Sequence, residues 1–280
     1  MTPSVAIIAQ GSMGAGIAKR LTGHGVRVTT SLTGRSEASA KRAVEAGMVA
    51  VNDRELCDSD FFLSIVPPRD ALALAQRLEP VLTAANKKPV YVECNAVNPG
   101  TVAKIETVIA KTGCAFVGAG IIGPPPQPGT SNTKIYAAGP SAQRFATLND
   151  YGLIVRVLEG PVSAASALKM SYAGITKGLT ALASGMMLAA QRGGAAPALA
   201  AELAESQPHL LAWFNRMVPN MYSKAYRWVA EMDEIAGFVG ADHAEHKMFD
   251  AAARFYERLA ADHDGGKRET GTLDKFLGRK

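Results

Sequence analysis

The sequence predicts an α/β fold in which a doubly wound, mostly parallel sheet is followed by an all-α region. Three observations support this prediction. Short apolar runs alternate with amphipathic helical segments over the first part of the chain, the pattern that right-handed crossovers between parallel strands produce. A glycine-rich turn follows the first apolar run, and strand signals cease after Gly194. The predicted domains are therefore 1–160, which carries the sheet, and 161–280, which is helical.

Composition is typical of a globular protein of about two domains. The 280 residues are 48% hydrophobic and 20% charged, with a net charge of +5. The basic residues are scattered and not interleaved with aromatic residues, so no nucleic-acid groove is expected. Three cysteines without a CxxC pair favour reduced thiols and a cytoplasmic location. No secretion signal is recognised, and the longest uncharged apolar run, 178–190, is too short to cross a bilayer, so no membrane partner is expected.

The predicted elements of the first domain follow one another in regular order. β-Branched and apolar runs predict strands, and segments with apolar residues three and four positions apart predict helices. Ser36 is a plausible N-cap, and Pro67 with Pro68 ends a strand. The expected strands cover residues 4–9, 26–32, 60–66, 89–93, 114–119, 133–138 and 153–158, and the expected helices cover residues 14–23, 36–46, 70–82 and 99–111.

One long helix, over 162–191, is expected to link the two domains. Ser163 is a plausible N-cap, and Gly193 with Gly194 marks the end. Because small and apolar residues cover nearly every side, this helix should be buried among neighbours. Beyond it we expect short helices separated by Pro197, Pro208 and Pro219, longer helices over 223–238 and 242–261, and a charged tail to residue 280 that is loose or docked on a partner.

The turn after the first strand has the spacing of a dinucleotide-binding loop. Ala9 stands in the first glycine position of GxGxxG, and Gly11 and Gly14 fill the other two. In a Rossmann domain this turn places a pyrophosphate on a helix N-terminus. Gly11 lets backbone amides approach the phosphate, and Gly14 lets the helix pack on the strand. We predict that Gly11, Ser12, Met13 and Gly14 bind the cofactor; the alternative is a tight turn without a ligand.

The end of the second strand indicates which dinucleotide is bound. An NAD site usually has Asp or Glu about 20 residues beyond the glycines, where it bonds the ribose hydroxyls. Here the strand ends without an acid, and Arg35 and Ser36 follow. A guanidinium can form a fork onto a 2′-phosphate, and a serine hydroxyl can add a hydrogen bond. We therefore predict NADP(H) rather than NAD(H); the alternative is that Arg35 is a solvated turn residue.

These motifs resemble those of the β-hydroxyacid dehydrogenase superfamily, which includes 3-hydroxyisobutyrate dehydrogenase and 6-phosphogluconate dehydrogenase. The resemblance covers most of the chain and is carried by five segments. They are the glycine turn 11–14, the fourth-strand loop 64–68, the fifth-strand loop 93–99, the substrate motif 116–123 and the catalytic-lysine helix 167–173. The C-terminal part, especially 226–235, resembles a divergent branch with a 6-phosphogluconate-dehydrogenase-like helical domain.

The resemblance implies roles for particular residues. Val66 and Pro67 belong to the loop near the nicotinamide ribose, and Asn95 to a loop whose small polar residues meet cofactor and substrate. From its placement in that loop, Asn95 is expected to orient the substrate as well. Ile122 and Gly123 stand in the substrate-binding motif, and Lys169 stands on the catalytic lysine.

Lys169 also has physical grounds for a catalytic role. Hydride transfer at a carbonyl or carbinol carbon needs a general acid or base at the oxygen. A lysine titrates at about 10.4, but burial and a nearby positive charge favour its neutral form. The alternative is a lysine that extends from a buried helix to solvent. Lys177, two turns further on, is expected to be structural or to bind a substrate anion, with neither favoured.

The sequence departs from the family pattern at three positions. Ala173 replaces an asparagine, Ile122 a serine that grips a carboxylate, and Asp233 a lysine that often reaches the cofactor. The expected function is an NADP(H)-dependent, hydroxyacid-type oxidoreductase that acts on a small hydroxy or carbonyl compound, forms a homodimer and needs no metal. The alternatives are an imine reductase on the same fold, against which the retained lysine argues, and a catalytically silent NADP-binding protein.

Overall fold

The computed structural model describes residues 2–127 and 132–279. The chain divides into two compact units, Met1–Lys169 and Met170–Lys280. The division falls inside the long helix, directly after Lys169, whereas the predicted domain boundary at residue 160 lies before that helix. The two units are therefore described separately.

The first unit is built on one eight-stranded sheet. Its strands are β1 (Ser4–Ile8), β2 (Arg27–Thr30), β3 (Val49–Ala50), β4 (Phe61–Ser64), β5 (Val90–Glu93), β6 (Phe116–Ile122), β7 (Lys134–Ala138) and β8 (Val155–Leu158). Their spatial order is β3-β2-β1-β4-β5-β6-β7-β8. This arrangement confirms the predicted doubly wound sheet, in which the order of the strands reverses between β1 and β4.

One strand pair breaks the parallel pattern. β7 runs antiparallel to β6, whereas every other neighbouring pair in the sheet is parallel. Parallel pairing needs a crossover of a dozen or more residues, and the connection between these strands spans only residues 123–133. Because β1, β4, β5 and β6 pair in parallel, their carboxyl ends lie at one edge of the sheet.

Helices cover both faces of this sheet. They are α1 (Ser12–Thr22), α2 (Glu37–Glu45), α3 (Asp53–Leu56), α4 (Ala71–Ala84), α5 (Pro99–Ala110), α6 (Ala142–Ala146) and the start of α7 (Ala164–Arg192). Along β1, Val5 and Ile7 belong to one buried apolar cluster, and Ala6 and Ile8 to the other. A strand buried on both faces explains why its sequence is continuously apolar.

Local caps place several helices where the sequence predicts them. The Ser36 side chain accepts a hydrogen bond from the Ser39 amide and begins α2. The Asn98 side chain caps α5 in the same way, ahead of Pro99 in the first turn. β3, α3 and α6 were not predicted, because elements of two to five residues are too short to show a periodic pattern.

The second unit is helical, as predicted. Beyond the rest of α7 it contains α8 (Ala196–Ser206), α9 (Pro208–Tyr222), α10 (Ala225–Val239), α11 (His246–Asp264) and α12 (Arg268–Phe276). Pro197 and Pro208 lie in the first turns of α8 and α9, where no amide hydrogen is needed. Pro219 lies inside α9, so the prediction that it separates two helices is wrong.

The predicted loose tail is also wrong as far as residue 276. The segment forms α12 and buries Leu273. The Asp262 carboxylate accepts hydrogen bonds from the amides of Arg268, Glu269 and Thr270, at 2.9, 3.1 and 2.8 Å. Burial by itself would raise the pKa of Asp262, but these hydrogen bonds lower it below its usual value. A carboxylate at the end of the preceding helix, six to eight residues away, therefore binds the start of this helix, and apolar periodicity does not indicate such a contact.

Within the two described ranges, no helix combines the length and the apolarity that a membrane-spanning segment requires.

Candidate functional site

The glycine turn forms an open cradle at the start of α1. Gly11 is the N-cap, and no side chain caps the helix. A Cβ atom at Gly14 would clash with the carbonyl oxygen of Ala9, so the fold itself requires this glycine. A Cβ atom at Gly11 would meet no atom of the described residues within 4 Å. The uncapped start of α1 and the open space above Gly11 are what a pyrophosphate needs, so the turn fits a dinucleotide.

Gln10 anchors this turn, although no sequence motif predicts its role. Its side chain is fully buried and donates hydrogen bonds to the Thr30 hydroxyl and, at 2.7 Å, to the Ser31 carbonyl. The Arg42 Nε atom donates to the Gln10 carbonyl at 2.8 Å. The glycine turn is thereby tied to the end of β2 and to α2. A long amide among small turn residues was the only available signal.

The turn after β2 borders a cavity of about 240 Å³. Arg35 and Ser31 lie on one side of its lining, and Asp70, Leu74 and Arg77 come from the start and the body of α4. The Arg77 guanidinium lies 3.4 Å from the Asp53 carboxylate. The structure thus places Arg35 at a cavity with a second guanidinium in its lining. Ser36, in contrast, uses its hydroxyl to cap α2.

Asn95 joins the ends of β4 and β5. Its side chain is buried, with Nδ2 donating to the Ser64 hydroxyl at 2.7 Å and Oδ1 accepting from the Val66 amide at 2.6 Å. Both ends of the amide therefore serve to fix the loop that contains Val66 and Pro67. The structure brings these three predicted site residues together, and a contact between Asn95 and substrate stays a prediction.

Glu93, for which the sequence predicts no role of its own, is the last residue of β5 and is 1% exposed. Its Oε1 atom accepts a hydrogen bond from the Asn95 amide at 2.9 Å, and Oε2 accepts none within the described ranges. Burial raises the pKa of Glu93 to about 7, although the hydrogen bond from Asn95 and the nearby Ser64 hydroxyl lower it. The available signal was an acid that ends an apolar strand.

Lys169 is half-buried at the start of α7. Its ammonium donates a hydrogen bond to the Ile121 carbonyl at 2.7 Å, at the carboxyl end of β6. A Cβ atom at Gly120 would lie 3.1 Å from the Lys169 Cβ and 2.7 Å from the Ala165 carbonyl oxygen, so this glycine allows the helix to pack on the strand. Lys169 is thereby brought beside Ile122 and Gly123, two of the predicted substrate residues.

Lys177 belongs to the second unit and is partly buried there. Its ammonium forms an ion pair with Glu231 and lies 4.9 Å from the centre of the Trp228 ring. The Tyr256 hydroxyl donates to the Lys177 carbonyl at 2.5 Å. These contacts are those of a structural cation, one of the two roles predicted; the role in binding a substrate anion stays a prediction.

Two families match this sequence. Residues 4–150 match the NAD binding domain of 6-phosphogluconate dehydrogenase, and residues 190–259 match a domain of unknown function, DUF1932. An uncharacterized 28.5 kDa protein in the 7S RNA 5′ region of Methanothermus fervidus is 31% identical over 159 residues, which span 56% of this chain and 59% of that protein.

Solved structures share the fold over nearly the whole chain. MTH1747, a conserved protein of unknown function described as similar to 3-hydroxyacid dehydrogenases, has a TM-score of 0.74 at 27% identity and covers 96% of this chain and 99% of its own. Mycobacterium tuberculosis 3-hydroxyisobutyrate dehydrogenase with L-serine has a TM-score of 0.74 at 16% identity and covers 94% of this chain and 95% of its own. An imine reductase from Myxococcus stipitatus with NADP⁺ has a TM-score of 0.55 at 17% identity, covering 98% of this chain and 100% of its own.

Proposed function

This chain belongs to the β-hydroxyacid dehydrogenase superfamily, and on that premise we propose that it is an NADP(H)-dependent oxidoreductase. The proposed reaction moves a hydride between the nicotinamide and a small hydroxy or carbonyl compound. The observation that carries the proposal is the half-buried Lys169 amine, which lies at the same edge of the sheet as the open cradle over Gly11. In doubly wound folds, ligands bind at the carboxyl ends of the strands.

Under this proposal, the predicted site residues of the first unit have defined roles. Backbone amides of the turn 11–14 bind the pyrophosphate, and Arg35 binds the 2′-phosphate. Val66 and Pro67, which Asn95 fixes, line the nicotinamide side. Lys169 gives a proton to the substrate oxygen during reduction and takes it back during oxidation. The cofactor, when bound, supplies or accepts the hydride.

Arg35 should decide the preference for NADPH. Replacing it with glutamine is expected to weaken NADPH binding by about 10- to 100-fold, the effect of losing a charge-assisted hydrogen bond. NADH binding should stay nearly unchanged, because that cofactor has no 2′-phosphate. Fluorescence titration of both cofactors measures this. Arg69→Gln, which alters a guanidinium whose side chain is 87% exposed, is the matched control. Equal weakening of NADPH and NADH binding would contradict the assignment.

The homodimer is proposed from an exposed apolar stripe on α7. Tyr172, Ile175, Leu182 and Met186 are 49%, 69%, 61% and 57% exposed, and their spacing places them along one helical face. Contiguous exposed apolar side chains of this kind mark interaction surfaces. A second copy of the chain can cover the stripe with its own, since residues on one helix face are self-complementary about a two-fold axis.

Changing Leu182 to glutamate should convert the proposed dimer into a monomer. A carboxylate in the middle of the stripe would have to be buried without a partner in the dimer, and this costs several kcal/mol, on the order of 3–5. Light scattering after gel filtration measures the mass. Glu202→Gln, on the exposed side of α8, is the control and should keep the wild-type mass. A wild-type protein that is monomeric at micromolar concentration would refute the proposal.

A second candidate, an imine reductase, is favoured by one feature. Ile122 replaces the serine that grips a carboxylate in the hydroxyacid-acting relatives, so an acidic substrate has one anchor fewer. Lys169 supports the carbonyl reaction instead. A panel of hydroxy acids, aldehydes, ketones and imines with NADPH distinguishes the two, and NADPH binding without turnover on any of them would support a catalytically silent binding protein.

A further inference from the structure

The Glu93 carboxyl group lies under the loop that leads from β5 to α5. From this position its Oε1 atom accepts the hydrogen bond from the Asn95 amide. Asn95 in turn accepts from the Val66 amide and donates to Ser64. Glu93 therefore holds the main chain of the residue whose side chain holds the proposed nicotinamide loop.

The surroundings of Glu93 leave one of its oxygens without compensation. Its strand neighbours in register are Ser64 on β4 and Gly118 on β6, and Gly118 has no side chain to offer. The carboxylate is 1% exposed, and its Oε2 atom accepts no hydrogen bond from the described residues. A buried polar atom without a partner is rare in folded proteins and calls for a functional or hydration explanation.

The titratable groups around Glu93 are few. On its own strand face lies Tyr91, whose hydroxyl is also buried without a described partner, and Cys94 follows in sequence. The inward side chains of α4 and α5 are apolar. Lys169 of α7 lies over Gly120, two residues beyond Gly118 on β6, and its ammonium donates to the Ile121 carbonyl. No salt bridge within the described part of the chain involves Glu93.

We propose that Glu93 is a positioning residue whose protonation state sets the order of the loop 94–98 and thereby the affinity for the nicotinamide cofactor. This inference rests on the proposed function. The neutral carboxyl group can stay buried and keep its Oε1 bond to Asn95. The ionised group leaves a negative oxygen without a partner, so the loop must open to hydrate it. Opening gives up the bond between Asn95 and Val66, and the cofactor loses a fixed wall.

The test is a comparison of NADPH dissociation constants between about pH 6 and about pH 8, on either side of the Glu93 pKa of about 7. For the wild-type protein the constant should rise about fivefold more than for Glu93→Gln, the effect of losing one hydrogen bond. Glutamine keeps the carbonyl oxygen for Asn95 and cannot ionise. The cofactor phosphate itself titrates near ~6, but it does so equally in both proteins and cancels in the comparison.

Two further variants complete the test. Glu159→Gln, at an exposed position after β8, should keep the wild-type pH profile. Ser64→Ala removes a hydroxyl that lowers the Glu93 pKa, so it should move the midpoint to higher pH; this variant decides the question if Glu93→Gln does not fold. Identical profiles for wild type and Glu93→Gln, or no shift in Ser64→Ala, would overturn the inference alone. A wild-type protein that binds no NADPH would overturn both it and the proposed function.

Discussion

Replacing Lys169 with methionine is expected to lower turnover by about 10²–10⁴-fold, the usual contribution of a general acid or base. Methionine keeps the length and apolar body of the side chain, so its packing over Gly120 should survive. The hydrogen bond to the Ile121 carbonyl, one residue before the end of β6, is lost, but Lys169 is half-buried and water can take the place of its ammonium. NADPH consumption with the best substrate of the panel measures the rate.

NADPH affinity separates a catalytic role from a structural one. If Lys169 acts on the substrate oxygen, Lys169→Met should bind NADPH within about twofold of wild type. The variant then loses an interaction made during the reaction and keeps the contacts that hold the cofactor in the ground state. Lys111→Met, which alters an ammonium whose side chain is 62% exposed, is the control and should keep full turnover. A Lys169→Met protein with wild-type turnover would remove the lysine, and with it the general acid/base mechanism, from the proposal.

Gly14→Ala is expected to abolish cofactor binding and to destabilise the protein. The added methyl group would overlap the carbonyl oxygen of Ala9, so either the turn or α1 must move. Overpacking of this kind costs about 1–3 kcal/mol, and more where backbone rather than a side chain is in the way. Urea unfolding measures the loss of stability, and fluorescence titration measures an NADPH affinity lowered by at least about 100-fold, a factor that corresponds to ~2.7 kcal/mol.

Gly11→Ala is the informative companion of that variant. Its methyl group would meet no atom within 4 Å in the part of the chain that the structure describes, and Gly11 has ordinary extended backbone angles, φ −69 and ψ 177. Its stability should therefore change by less than about 1 kcal/mol. If a pyrophosphate occupies the cradle, the methyl group stands where the phosphate must approach, and NADPH affinity should still fall about tenfold or more. Unchanged affinity in a stable Gly11→Ala protein would show that the cradle does not hold the phosphate.

The sequence predicts the strong elements of the fold well. Continuous apolar runs place seven of the strands, and Ser36 and the Gly193-Gly194 pair place helix ends correctly. What it misses has a common cause. β3, α3 and α6 are too short for a period, and α12 begins at a carboxylate, Asp262, contributed by the preceding helix. The antiparallel pairing of β7 follows from the length of a connection, not from the strand itself.

The site divides in the same way. A motif made by local backbone, such as the glycine turn 11–14, is visible in the sequence because glycine spacing is a local requirement. The roles of Gln10 and Glu93 could not be predicted, because each depends on neighbours that are distant in sequence. These are Thr30 and Ser31 for Gln10, and Ser64 for Glu93. The neighbouring residues in the sequence do not distinguish a buried acidic side chain at a strand end from a solvated one.

By itself, the sequence determined that a parallel sheet precedes a helical region, that a glycine-rich turn follows the first strand, and that Lys169 and Lys177 lie on an apolar helix. These features are local, since periodicity, glycine spacing and burial of an apolar face act over a few residues. Only the tertiary structure decided that Lys169 contacts β6 near its end and that the Asn95 side-chain amide forms hydrogen bonds with Ser64 and Val66. It also decided that Glu93 is buried, with one oxygen that accepts no hydrogen bond from the described residues. Hydrogen bonding and desolvation depend on which distant segments pack together, and the order of strands in the sheet sets that packing.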